Sequence, residues 1–162
     1  HGAMRDGESE KNINLDVALL VQSMLKKRGV NVYMTRTDDT FVTLQDRAAY
    51  TENLQPQLFV SIHVNSCNKP EIDGIETHYY HDNSLDLANC IHNLLITTVQ
   101  AKDRGIFKSK FYVINHTTVP AILVEIGFIS NVQERAGMCS NERKQKTAKA
   151  IVDGIIKYLD GN

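Results

Sequence analysis

The sequence predicts a single three-layer α/β domain, a mostly parallel or mixed twisted sheet with helices on both faces. Three observations predict it. Residues 58–65 (Leu-Phe-Val-Ser-Ile-His-Val-Asn) and 121–128 (Ala-Ile-Leu-Val-Glu-Ile-Gly-Phe) are almost continuously apolar, as strands buried on both faces are. Other stretches repeat apolar residues at helical spacing. The two kinds of segment alternate with short connections and no repeats, linkers or low-complexity tracts, so one domain over 1–162 is expected.

Composition sets the outer bounds. A chain of 162 residues with 42% hydrophobic content builds a sizeable core. A formal net charge of −1 gives no global basic field for nucleic acid. No apolar run approaches the ~20 residues of a membrane-spanning helix. No signal-peptide pattern is found, and a start at His1 leads us to expect a domain excised from a longer protein. Cys67, Cys90 and Cys139 form no C-x-x-C and are expected to be unpaired thiols.

Taken in order, 1–11 reads as a polar loop. Ile13, Val17, Leu20 and Met24 mark a first helix that Gly29 stops. Val30–Thr35 then reads as a strand, and Thr43–Asn53 as a helix. Pro56 precedes the strand carrying His63, and Gly74–Tyr80 alternates like a strand. Asp82-Asn83-Ser84 caps a helix with Leu87, Ile91, Leu94 and Leu95 inside. Arg104-Gly105 reads as a turn, Lys110–Ile114 as a short strand, and Pro120 introduces the strand carrying Glu125. Asn131–Ser140 is irregular or briefly helical. Ala148, Ile151, Val152, Ile155, Ile156 and Leu159 form the stripe of a last helix.

Two residues stand out against this pattern. His63 lies at the carboxyl end of a strand, where open α/β sheets collect their chemistry. Glu125 is a carboxylate in a strand covered on both faces, and a buried carboxylate needs a cation, a proton or donors. An ion pair with Arg36, Arg47 or Arg104 is the plain structural alternative. Glu8 and Glu10 precede the first helix, where its dipole favours acids. His63, Glu125 and these acids together are the donor types of a zinc site with a carboxylate left over as base. Cys67, four residues beyond His63, could be a nucleophile, but no helix N-terminus stands by to lower its pKa.

Several blocks, in this order, carry a resemblance to a known family. They are Ser9–Leu15, Thr35-Arg36 with Asp38-Asp39, Leu44–Arg47, Ser61–Asn65, Gly74–Thr77, Arg104-Gly105, Phe111–Ile114 and Val119–Asn131. Over about 7–160 the chain resembles the catalytic domain of zinc-dependent N-acetylmuramoyl-L-alanine amidases, the type-3 amidases of cell-wall hydrolases. The resemblance implies Zn2+ as cofactor, Glu10 and His63 as metal ligands, and Glu125 as the catalytic carboxylate. Asn65 and Arg104 are the candidates for substrate contact. The family's remaining ligand is a His in an Asp-Pro-Gly-His-Gly motif after a first strand. Only His1-Gly2-Ala3 resembles that motif, and the strand before it is not in the chain. His1 is either that ligand or part of an expression remnant; His116 is the reserve candidate. The implied substrate is peptidoglycan or its muropeptides, outside the cytoplasm, with wall-anchoring modules elsewhere in the full-length protein. A related zinc peptidase and a catalytically inactive wall-binding or regulatory domain are the alternatives.

Overall fold

The computed structural model describes residues 4, 5 and 7–161. A short antiparallel hairpin, β1 (Met4–Arg5) and β2 (Glu8–Ser9), leads into α1 (Glu10–Lys27). Next come α2 (Leu44–Leu54), β3 (Phe59–Asn65), β4 (Ile75–Tyr79), a 3-10 turn at Asp82–Ser84 and α3 (Leu85–Val99). The chain continues with β5 (Asp103–Lys108), α4 (Tyr112–Asn115), β6 (Ala121–Phe128), α5 (Val132–Cys139) and α6 (Asn141–Leu159).

The main sheet has the order β3-β6-β4-β5. β3 runs parallel to β6, β4 parallel to β5, and β4 antiparallel to β6, so the sheet is mixed and open. Alternation divides the side chains of β6 between two cores. Ile122, Val124 and Ile126 enter the larger one with Ile13, Val17, Ile91, Leu95, Ile151 and Ile155 of α1, α3 and α6. Ala121 and Leu123 face the other way and meet Val113 and Ile114 of α4. All eight residues of β6 are buried, as the apolar run predicts.

The helix boundaries follow local chemistry. Thr43 Oγ1 accepts from the Asp46 amide and starts α2. Asn131 Oδ1 accepts from the Gln133 and Glu134 amides and starts α5, so of the two expectations for this segment the brief helix is the one observed.

Three expectations are corrected. Val30–Thr35 joins no β-ladder among the described residues. β3 is an edge strand, and Val30, Val32, Met34, Leu58, Val60 and Ile62 line a cavity of about 740 Å³ between that edge and the segment. Residues of strand composition form no ladder here, and the Val30 amide bonds the Leu25 carbonyl instead. Lys110–Ile114 is not a strand either: the Ile114 and Asn115 amides bond the Phe111 carbonyl and close α4. Arg104 and Gly105 lie inside β5, with a register shift between Ile75 and Glu76 that the Gly105 φ of +106° accommodates.

α6 packs on α3 at Gly154, where an added Cβ would sit 2.7 Å from Ile91 Cα. Backbone cannot yield there as a side-chain tip would. Gly154→Ala is expected to lose about 1–2 kcal/mol in urea unfolding, overlap outweighing the helix propensity gained. Gly137→Ala on α5, with nothing within 4 Å of its added Cβ, is expected to be neutral or stabilising.

Candidate active site

The site begins with strand register. His63 of β3 is the Cα partner of Glu125 in β6, and Glu125 is the partner of Glu76 in β4. Glu76 in turn pairs with Gly105 of β5. Paired residues in adjacent strands point to the same face. His63, Glu125 and Glu76 therefore form one row across the sheet, and Gly105 ends it without a side chain.

Beyond Glu125 the register slips: Asn65 pairs with Phe128, so β6 holds one extra residue there. Gly127 absorbs the slip at φ +152°. Its Cβ, if present, would meet Met138 Sδ at 2.9 Å. Glu134 of α5 fastens this bulge by accepting from the Phe128 amide at 2.7 Å. Bulges re-aim side chains beside active sites, and this one directly follows the carboxylate.

Glu10 arrives from the first turn of α1. Its Oε1 lies 2.9 Å from His63 Nδ1 and accepts from Asn14 Nδ2 at 3.2 Å. The other ring nitrogen, His63 Nε2, lies 3.1 Å from Ser61 Oγ. Nδ1–H donates to the Glu10 carboxylate and Nε2 accepts from the Ser61 hydroxyl; a cation held between Glu10 and Nδ1 would replace that proton, with Nε2–H then donated to Ser61. Outer contacts of this kind fix the tautomer of a metal-binding histidine.

Glu125 is 8% exposed, and its Oε2 is buried with no hydrogen-bond partner among the described residues. Burial pushes its carboxyl up to about 7; His63 opposes that, while Glu10 and Glu76 add to it.

A divalent metal fits this donor set. One imidazole nitrogen and one carboxylate already converge, and a buried carboxylate oxygen beside them lacks a partner. Among the described residues no three His, Cys, Asp or Glu side chains close on one point. His1 lies outside the described residues, as does the side chain of Glu8.

The structure thus brings Glu10, His63 and Glu125 to one end of β3 and β6. Asn65 and Arg104 meet at a residue the sequence reading did not single out: Glu76 accepts from Arg104 Nε at 2.7 Å and Asn65 Nδ2 at 3.2 Å. The signal was available, since Glu76 is a carboxylate in a short strand of β-formers. Other candidates lie elsewhere. Cys67 Sγ meets the Lys69 carbonyl and the Ser130 hydroxyl, neither of them a base. His116 stacks on Tyr112 with ring centroids 3.9 Å apart, and its Nδ1 faces the Tyr112 carbonyl.

The fold and sequence have counterparts among known proteins. The family described as N-acetylmuramoyl-L-alanine amidase matches residues 1–157. The chain is 36% identical over 161 residues to the N-acetylmuramoyl-L-alanine amidase LytC of Bacillus subtilis, covering 97% of this chain and 32% of LytC. It is 43% identical over 163 residues to the uncharacterized protein YqiI of the same organism, covering 98% of this chain and 79% of YqiI. The chain therefore spans about a third of LytC and most of YqiI. Among solved structures, the catalytic domain of the amidase CwlV from Bacillus (Paenibacillus) polymyxa superposes with a TM-score of 0.92 at 39% identity, covering 100% of this chain and 95% of that one.

Folding raises the proton affinity of Glu125 above its ordinary pKa of 4.5. Its contribution to stability is therefore full below about 4.5 and is lost as pH rises through about 7. At ~1.4 kcal/mol per pH unit, the loss is at most about 3 kcal/mol. In chelator-treated protein, the melting temperature is expected to fall across this window, and Glu125→Gln to remove that part of the slope. Parallel pH profiles for the two proteins would contradict it.

Proposed function

The chain belongs to the N-acetylmuramoyl-L-alanine amidase family, and from that premise we propose that it hydrolyses the amide between the lactyl group of N-acetylmuramic acid and L-alanine of the peptidoglycan stem. The observation that carries the reading is the row of His63 and Glu125 with Glu10 closed onto His63.

Glu10 and His63 would hold a divalent cation, Zn2+ by the chemistry of the donors, with His1 as a further ligand. When bound, the cation supplies Lewis-acid polarisation of the scissile carbonyl and lowers the pKa of a coordinated water. Ser61 and Asn14 orient His63 and Glu10 from behind.

Glu125 is the general base. Its orphaned Oε2 is free to take a proton from the attacking water, and the same oxygen hands that proton to the departing amine of L-alanine. Burial favours the protonated acid, whereas a neighbouring cation favours the carboxylate. The two influences oppose each other, so the group can both accept and release a proton near neutral pH. Leu123 packs with Val113 and Ile114 on the face of β6 that carries Glu125, which is itself buried, so the base works in a lowered dielectric.

A cell-wall substrate places the reaction outside the cytoplasm. No described helix is long and apolar enough to cross a membrane. Modules that grip the wall would lie beyond this chain.

Glu125→Gln is expected to retain metal and lower kcat on muropeptides by about 10²–10⁴. His63→Ala is expected to lose metal and activity together, read by elemental analysis beside the assay. Near-normal cleavage by Glu125→Gln would remove the base assignment.

A further inference from the structure

Arg104 is held like a receptor rather than a surface charge. Its Nε donates to Glu76 Oε1 at 2.7 Å, and its guanidinium carbon lies 5.2 Å from the centroid of the Phe128 ring. The side chain is 28% exposed. Nη1 makes one long contact, 3.5 Å to the Asp73 carbonyl, and Nη2 has no hydrogen-bond partner among the described residues. Both Nη groups are therefore available to an incoming acceptor, with the rotamer already fixed. An arginine fork set in advance binds a carboxylate at reduced entropic cost.

Glu76 would repel an anion if its charge were open to the cleft, but it is not. Oε1 is taken by Arg104, while Oε2 accepts from Asn65 and stands 3.6 Å from His78 Nε2. Gly105 lies next along the row, so the sheet floor is low beside the fork. A Cβ there would approach the Phe107 ring at 3.4 Å.

The span also fits. Strands lie about 4.8 Å apart, so a guanidinium bonded to Glu76 stands roughly 5–10 Å from Glu125. An extended peptide advances about 3.3–3.6 Å per residue, which places the fork beside the second residue beyond the scissile amide.

We propose that Arg104 receives the free carboxylate of the second stem-peptide residue, and that Glu76 is the positioning residue that aims it. The substrate class is thus a stem whose second residue carries a carboxylate rather than a carboxamide. The proposal rests on the amidase reading and adds a specificity to it.

The test uses two muropeptides that differ only in that group, free carboxylate or carboxamide. Wild type is expected to show a KM about tenfold higher for the carboxamide at similar kcat, the value of one charge-assisted hydrogen bond. Arg104→Gln is expected to raise KM for the carboxylate substrate and bring the two substrates within about twofold of each other. Arg104→Lys, which keeps the charge but not the fork, should leave an intermediate ratio. The wild-type comparison stands even where a variant fails to fold. Equal KM values for wild type, or a ratio that survives in Arg104→Gln, overturn the carboxylate receptor and leave the amidase reading intact. Wild type that cleaves neither muropeptide overturns the amidase reading itself.

Discussion

The parallel pairing of β3 with β6 is the constraint on which the site depends. It sets an imidazole and a carboxylate side by side at the carboxyl ends of two strands that are far apart in sequence. A slip of one residue would turn one of them into the apolar core. That outcome is expensive, because Ile122, Val124 and Ile126 fill the larger core from the opposite face of β6. The hydrophobic effect therefore fixes the position of Glu125 indirectly, by fixing its neighbours. The bulge at Gly127, fastened by Glu134, ends the regular ladder where the chemistry begins.

The same arrangement produces an electrostatic conflict. Three carboxylates, Glu10, Glu76 and Glu125, gather around His63, His78 and Arg104. Arg104 and Asn65 satisfy Glu76, and His63 faces Glu10. Glu125 is left with a buried, unbonded oxygen and a pKa near 7. A protein surrenders stability to hold a carboxyl in that state, and a bound cation is the direct way to recover it. The proposed cation would supply the positive charge that this set of donors lacks.

Much of this was legible in the sequence. The apolar runs around His63 and Glu125 announced β3 and β6, and the carboxylate inside the second run singled out Glu125. The amphipathic stripe of α6 was equally plain, since one helix face supplies most of its apolar residues. What was not legible depended on partners. Val30–Thr35 has the composition of a strand, but composition does not supply the neighbour that a ladder requires. Arg104-Gly105 looks like a turn because glycine with positive φ marks turns, yet here that freedom absorbs a register shift within β5. Glu76 was hidden for a related reason. Its importance comes from lying opposite Glu125 and between Arg104 and Asn65, a relation that exists only across strands.

Under the proposed function a cation would sit among Glu10, His63 and Glu125. Anomalous diffraction at the zinc edge from zinc-soaked crystals tests it most directly. One strong peak is expected, bonded to Glu10 and His63 Nδ1 and within reach of a water that Glu125 also contacts. A zinc peak elsewhere in the molecule, or none at this site under replete conditions, would contradict it.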